Sequence, residues 1–416
     1  MHRLHGLCSR VSSRRHKKAP PTEAMKTIYS LGVMTGTSCD GADAAGLAIT
    51  NGRETLAHTA TKSFSPALRK RLRTAQQGKL EIPEVARLTR DYSEWMAQFC
   101  EATLKRWNAP KAQTLIAIHG QTVWHEPESR ISVQLVDPTI IAAKTGVTVT
   151  AYFRQPDLAR GGQGAPLVPY YHWLRATSLR EFSDQLPFAI HNVGGIANLT
   201  YITKDPKKLF AFDTGPGNAL IDLATESFTK GRKHFDKNGA IAAGAAASID
   251  WRAIEKLATL SYFKKKPPKS TGRELFNETF LKKLPSTGAA RIANATAFTA
   301  HTMAKSYADF VLGAGFPLRK IFVAGGGALN PTLMKLFSDE LRRLCKSSIA
   351  VSTLSDDFAP AQSLEAMAFA RLGYEAIHGR AVSLSAVTGA SEDAIGAGIF
   401  AGQNYAKLLN SLDLRS

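Results

Sequence analysis

The chain has 416 residues, 44% hydrophobic and 21% charged, enough for two lobes with separate cores and too apolar for a disordered polymer. No apolar run reaches the length of a membrane span, and the four cysteines (Cys8, Cys39, Cys100, Cys345) stand far apart with no C-x-x-C spacing. Neither a zinc site nor a disulfide framework is therefore expected, and a reducing compartment suits the chain. The formal charge of +19 raises nucleic acid or a membrane surface as partners, but no DNA- or RNA-binding signature accompanies it. A solvated basic surface that attracts an anionic nucleotide is the better expectation.

Residues 1–25 hold much of that charge (Arg3, Arg10, Arg14, Arg15, Lys17, Lys18) and lack an apolar core of signal-peptide length. Their Arg, Ser and low acidity resemble a transit peptide. A disordered basic extension or an over-called start is expected instead, with Met25 a natural beginning. Leu31 to Ile49 then predicts a β-hairpin around Gly36-Thr37-Ser38-Cys39-Asp40-Gly41-Ala42-Asp43. Its glycines let the backbone approach a ligand, Thr37 and Ser38 can donate to phosphate, and Asp40 and Asp43 can hold Mg²⁺ through water. An ordinary hairpin turn is the plainer alternative.

Residues 53–110 are expected to be mostly helical, with Leu68, Leu72, Leu80, Ile82, Val85, Leu88, Tyr92, Trp95, Met96, Phe99 and Leu104 as a core stripe. Thr114–Ile118 is a short buried strand, and His119, Gln121, Thr122 and His125 follow its carboxyl end, where open α/β sheets bind ligands. The spacing of the two histidines favours hydrogen bonding over metal ligation. A further strand at 147–153 runs into a glycine-rich loop, in which Arg154 and Asp157 either bracket a polar ligand or pair with each other.

Near residue 186 the pattern restarts. Phe188–Ile202 is again strand, glycine turn (Gly194, Gly195) and strand, so two lobes each begin with a glycine hairpin. A nucleotide held between them is the strongest physical expectation. Asp213, at the end of the next strand and in a glycine turn, is the general-base candidate; the alternative is an N-cap for the helix from Ala219 to Phe228. Gly325, Gly326 and Gly327 follow a buried strand and would let a flat ring slide against the backbone.

In order, the motifs at 32–43, 119–127, 153–169, 192–199, 213–218, 268–274, 325–331 and 387–390 make the chain from Met25 onward resemble the anhydro-N-acetylmuramic acid kinase family. The resemblance implies an α/β, two-lobed actin-like or sugar-kinase (ribonuclease H-like) fold with ATP in the interlobe cleft. It divides the chain into the extension 1–25, an N-terminal lobe 26–185 and a C-terminal lobe 186–416. It also implies the reaction: ATP-dependent opening of 1,6-anhydro-N-acetylmuramic acid to N-acetylmuramic acid 6-phosphate in cell-wall recycling. The alternatives are a kinase for another amino sugar or hexose, and a non-catalytic sugar sensor on the same fold.

By the same resemblance Asp213 is catalytic. Residues 36–43, with Gly194, Gly195, Gly325, Gly326, Gly327 and Asn330, bind ATP; Gln121, Thr122, Arg154, Asp157 and Glu365 face the sugar; Asp40 holds Mg²⁺ through water. A cytoplasmic homodimer with a small sugar substrate, no nucleic acid and no membrane completes the expectation. Thr35, Cys39, Tyr152, Gln155 and Pro156 depart from the family's usual residues.

Overall fold

The computed structural model describes residues 26–36 and 38–412, so the expected extension and Thr37 of the first turn lie outside the described residues. β1 (Thr27–Met34) and β2 (Gly41–Thr50) form the antiparallel hairpin, in register from Thr27 opposite Thr50 to Met34 opposite Asp43. β3 (Arg53–Ser63) continues the sheet where the sequence reading expects helix. Its residues alternate between exposed and half-buried, a period of two that an edge strand produces and a helix does not.

The helical stripe begins only at α1 (Pro66–Gln76), where Ser65 Oγ accepts the Leu68 N–H, and continues in α2 (Ile82–Trp107). Leu68, Leu72, Leu88, Tyr92, Met96, Phe99 and Leu104 are buried there, and Leu80, Val85 and Trp95 partly so. Ile82 is not a core residue: it opens α2 and is 84% exposed.

β4 (Thr114–Ile118) runs parallel to β1. β5 (Gln121–Glu126) and β6 (Ile131–Leu135) form a separate two-stranded arm, and α3 (Pro138–Thr145) leads to β7 (Thr148–Ala151), parallel to β4. This sheet therefore orders its first five strands β3-β2-β1-β4-β7. After α4 (Pro169–Ser178) the plan repeats. β8 (Phe188–Val193), β9 (Ile196–Ile202) and β10 (Phe210–Pro216) are antiparallel neighbours. α5 (Ala219–Thr229) and α6 (Gly288–Tyr307) precede β11 (Lys320–Ala324), which is parallel to β8; α7 (Pro331–Cys345) then leads to β12 (Ala350–Thr353), parallel to β11. The second sheet is ordered β10-β9-β8-β11-β12, the same third-second-first-fourth-fifth plan as the first. That repeat is the two-lobed topology expected from the paired glycine hairpins.

The end of the chain belongs elsewhere than expected. α8 (Leu364–Ile377) buries every residue except Glu365, and it lies on the first sheet so closely that a Cβ on Gly32 would come 1.9 Å from the Ala366 carbonyl oxygen. β13 (Gly398–Phe400) then adds to β7. The division at residue 186 thus separates the two sheets but misplaces the C-terminal segment, because a helix with apolar residues around nearly its whole circumference needs a sheet face and the first sheet supplies it. One apolar cluster runs from Leu47 and Leu115 through Phe153, Tyr171 and Phe369 to Phe188 and Phe322, so the lobes share a core. Among the described residues no helix is long and apolar enough to cross a membrane.

Candidate active site

The first turn is closed by Cys39 N–H donating to Gly36 O at 3.2 Å. Its two glycines differ in role. A Cβ on Gly36 would meet nothing nearer than 3.6 Å, whereas one on Gly41 would lie 2.4 Å from Lys62 O. Gly41 is therefore required by β3, and only Gly36 leaves room for a ligand. Ser38 is exposed and its carbonyl accepts from Arg73, while Ala42 and Cys39 are buried, burial pushing the Cys39 thiol up to about 11. Asp40 forms an ion pair with Arg69 of α1, and Asp43 accepts from the Thr61 hydroxyl at 2.7 Å.

Gln121 stands behind this turn, donating from Nε2 to Gly36 O at 3.0 Å while its buried Oε1 has no partner among the described residues. Thr122 follows with its hydroxyl at 3.5 Å from Gln134 Nε2. Arg154 donates from Nη1 to Gly164 O at 2.7 Å and from Nε to His119 Nε2 at 3.2 Å. Burial, and next the Arg154 charge, hold His119 well below its ordinary pKa, so the ring is neutral and its Nε2 accepts while Nδ1–H donates to Gly120 O. The hydrogen-bonding role expected for His119 is what the geometry gives.

Arg154 and Asp157 do not pair. Asp157 is turned inward and 0% exposed, accepting from Gly164 N–H on Oδ2 and from the Ser383 and Thr388 hydroxyls on Oδ1. It ties two loops together rather than facing the cleft. A Cβ on Gly162 would lie 2.2 Å from Asp157 Oδ2, which explains the glycine beside it.

Asp213 is not the cap of the following helix, whose N-cap is Asn218. Its main chain is held by Lys269 O, which accepts the Asp213 N–H at 3.1 Å, and by the Tyr262 hydroxyl, which donates to Asp213 O at 2.6 Å. Its carboxylate Oδ2 accepts the Thr271 N–H at 2.9 Å. Burial pushes the carboxyl up to about 7 from an ordinary 3.8; the Thr271 N–H opposes that, Glu274 adds to it, and Arg154 and Lys269 also oppose it.

Arg154 links this base to the first lobe. Burial lowers its pKa to about 10, and Glu365 and then Asp213 are the carboxylates that chiefly hold its charge. Glu365 is itself raised by burial, opposed by Arg154 and reinforced by Asp43 of the first turn. Glu365 keeps contact with solvent although protein surrounds it on most sides, and Asp213 and Arg154 are only half-buried by surface. The charges of Asp43 and Glu365, of Glu365 and Arg154, and of Arg154 and Asp213 are thus felt pairwise, the last pair linking the two lobes.

Beyond the second turn lies a cavity of about 450 Å³, lined by Asn218, Asp222, Phe235, Gly326, Leu329 and Asn330 among others. Of the three glycines only Gly326 faces it. Gly325 has φ +79° and Gly327 would place a Cβ 2.3 Å from Val193 Cγ1, so both are packing requirements. Asn330 lines the cavity while its Oδ1 accepts the Leu333 N–H and caps α7. Leu329 and Phe235 are 73% and 60% exposed, two apolar walls suited to a flat ring. Gly194 and Gly195 accept through their carbonyls from Asn218 and Gly217 N–H at 2.7 and 2.9 Å, docking the second turn on α5. A second hollow, of about 390 Å³, beside α1, is lined by Phe64, Arg69, Arg73 and neighbours and has no carboxylate in its lining, although Arg69 and Arg73 also reach Asp40 and Ser38 O of the first turn.

The sequence reading missed Phe235, Asn218, Asp222, Thr271 and Lys269. Asn218 and the 268–274 segment stand within recognised motifs, whereas nothing local marks Phe235 or Asp222. Among the described residues no group of three or more His, Cys, Asp or Glu side chains is placed to hold a metal. Mg²⁺ does not need such a cage, because it keeps several waters and binds through phosphates and one or two carboxylates. The Asp40–Arg69 pair, its side chains about half exposed, is worth less than ~1 kcal/mol.

Residues 28–402 match the family described as Anhydro-N-acetylmuramic acid kinase. A protein of that name from Acidithiobacillus ferrooxidans is 36% identical over 394 residues, covering 92% of this chain and 95% of the relative. Another from Shewanella halifaxensis is 37% identical, covering 89% of this chain and 98% of the relative. Among solved structures, a ROK hexokinase from Thermus thermophilus overlays with a TM-score of 0.39 at 14% identity, over 84% of this chain and 99% of that one.

Proposed function

The chain belongs to the anhydro-N-acetylmuramic acid kinase family, an ATP-dependent sugar kinase of cell-wall recycling, and we propose that Asp213 is the base that drives its reaction. Asp213 takes one proton from a water whose oxygen adds to carbon 1 of 1,6-anhydro-N-acetylmuramic acid. The C1–O6 bond breaks with its electron pair going to oxygen 6. Oxygen 6 bonds to the γ-phosphorus, and the bridging P–O bond breaks with its pair going to ADP. The products are N-acetylmuramic acid 6-phosphate, ADP and the proton held by Asp213.

The observation that supports this reading is the environment of Asp213, whose carboxylate is raised in pKa by burial, is held by the Thr271 N–H, and feels the charge of Arg154, itself seated on His119 and Gly164 beside the first lobe's sheet. Arg154 and Glu365, with Gln121 and Thr122 beside the first turn, are the groups proposed to hold the sugar. Asp157 orients the loop that presents Arg154. The two glycine turns flank the phosphates, and the cavity of Phe235, Leu329 and Gly326 takes the adenine. Asp40 and Asp43 would hold Mg²⁺ through water beside the phosphates, where the ion would supply charge neutralisation at the transferred group. A cytoplasmic homodimer remains part of the proposal, and light scattering on the purified chain decides the assembly.

A coupled ADP assay over a panel of amino sugars tests the whole reading. ADP formation should depend on the anhydro sugar, and Asp213→Asn should lower kcat by about 10²–10⁴ with nucleotide binding retained. A mutant that turns over like the wild type removes Asp213 from the mechanism. A hexose that outperforms the anhydro sugar reassigns the substrate.

A further inference from the structure

The segment that holds Asp213 carries an arginine for which the reaction so far has no use. From Lys269 to Arg273 alternate residues have separate tasks. Lys269 is 2% exposed, with its ammonium over the rings of Phe310, Tyr262 and Phe212 at 4.5, 5.0 and 5.5 Å, and so pins the segment to the second lobe. Thr271 gives its N–H to the Asp213 carboxylate. Arg273 is exposed, and among the described residues it makes no hydrogen bond or ion pair.

That guanidinium lies on the second glycine turn. A Cβ on Gly195 would lie 3.4 Å from Arg273 Nη2 and 3.6 Å from Nε, ordinary contact distances that place the guanidinium directly against the turn. The same charge is felt in two other places: at Cys39 of the first turn, and at Asp222, which lines the nucleotide cavity. An unpaired cation within reach of both turns and the cavity stands where a nucleotide running from that cavity toward Asp213 would place its phosphates.

We propose that Arg273 binds the terminal phosphate oxygens of ATP and stabilises the charge that builds on them during transfer; this rests on the kinase reading above. A guanidinium suits the task because its planar fork matches two phosphate oxygens at once and it never loses its proton. During transfer the bridging P–O bond opens toward ADP as the bond to sugar oxygen 6 forms, and the three equatorial oxygens carry the charge that a fixed cation lowers in energy. Asp222 and Glu274 are the neighbouring carboxylates, and neither forms an ion pair with Arg273. The fork is left free for an anionic ligand.

Arg273→Gln and Arg273→Lys in the full chain test this, with two readouts: steady-state ADP production, and thermal-shift titrations with ADP and with a β,γ-methylene analogue of ATP. Arg273→Gln should lose about 10²–10³ in kcat with the sugar KM nearly unchanged. It should bind ADP as the wild type does but bind the analogue about tenfold more weakly, and Arg273→Lys should recover part of both losses. Wild-type-like kcat together with unchanged analogue binding in Arg273→Gln overturns the proposal. If the wild type makes no ADP with the anhydro sugar, it is the kinase reading that fails, and the analogue-against-ADP comparison still decides Arg273.

Discussion

Burial gives Asp213 an unusual titration, and two consequences follow at the level of that single side chain. A general base works only when ionised, and burial pushes this carboxyl up to about 7. The acid limb of kcat/KM should therefore have its midpoint near that value rather than near the ordinary 3.8, and the residual rate of Asp213→Asn should lack that limb; a pH profile checks both. Stability runs the other way. Between the unfolded and folded pKa values the native state binds the extra proton, so the ionised side chain costs stability as pH rises through 7. Asp213→Asn, always neutral, should melt higher than wild type above pH ~7, and the gain should shrink to nothing as pH falls toward the unfolded value. Melting curves at several pH values would refute this if the gain were the same in acid. A mutation that abolishes turnover and raises Tm is the expected mark of a base held in a cleft at a cost to the fold.

At the scale of elements, α8 carries Glu365 into the cleft only because β1 lets the helix come close. A methyl on Gly32 would meet Ala366 O at 1.9 Å and Ala370 N at 2.3 Å, backbone atoms that no rotamer change can move away. Gly32→Ala should therefore push the helix off the sheet, with about 1–3 kcal/mol of stability lost, and raise the sugar KM more than the ATP KM; denaturant melts and initial rates measure the two effects. Normal sugar KM in a destabilised mutant would separate α8 from the sugar site. This contact also marks the limit of what the chain discloses as a string of letters. The hairpins at 31–49 and 188–202 are visible because turn chemistry is local: glycines flanked by alternating apolar residues predict the hairpin. Asp213 stands out for a similar reason, beside the glycines of its turn, although it lies inside β10 at a bulge rather than at the strand's end as the sequence suggests. β3 hides because Arg53–Ser63 is an edge strand rich in Thr and charge, and its period of two lacks a strong apolar face. The apolar run of α8 announces burial but not which sheet will bury it. The inward turn of Asp157 depends on Ser383 and Thr388, more than two hundred positions away in sequence.

The whole molecule closes around a cleft whose two sides must stay tied while the floor remains open, and a buried ion network makes that tie. Arg175 on α4 pairs with Glu54 of β3 at 3.4 Å and donates to Phe358 O at 2.9 Å in the loop after β12, so a single side chain touches the outer edges of both lobes. Glu54 is shared: Arg371 of α8 lies at 3.3 Å and the Tyr171 hydroxyl donates to it at 2.8 Å. The side chains of Glu54, Arg175 and Arg371 are 7%, 14% and 6% exposed, too buried for salt to screen their attraction well. Losing one partner of such a network is costly chiefly because of the charge left behind. Arg175→Met leaves Glu54 with Arg371 and Tyr171, so it should cost about 1–3 kcal/mol, the worth of hydrogen bonds to charged groups. Glu54→Gln leaves Arg371 its second carboxylate, Glu375 at 2.6 Å, but leaves the buried Arg175 guanidinium without one among the described residues, and should cost about 3–5 kcal/mol. Both losses should persist at high salt. In both variants the KM of each substrate should rise, because the lobes are less firmly held, while the acid limb of the pH profile stays where Asp213 sets it. Equilibrium unfolding of the pair ranks them; a larger loss from Arg175→Met than from Glu54→Gln would mean that the tie is centred on the Phe358 loop and not on the shared carboxylate.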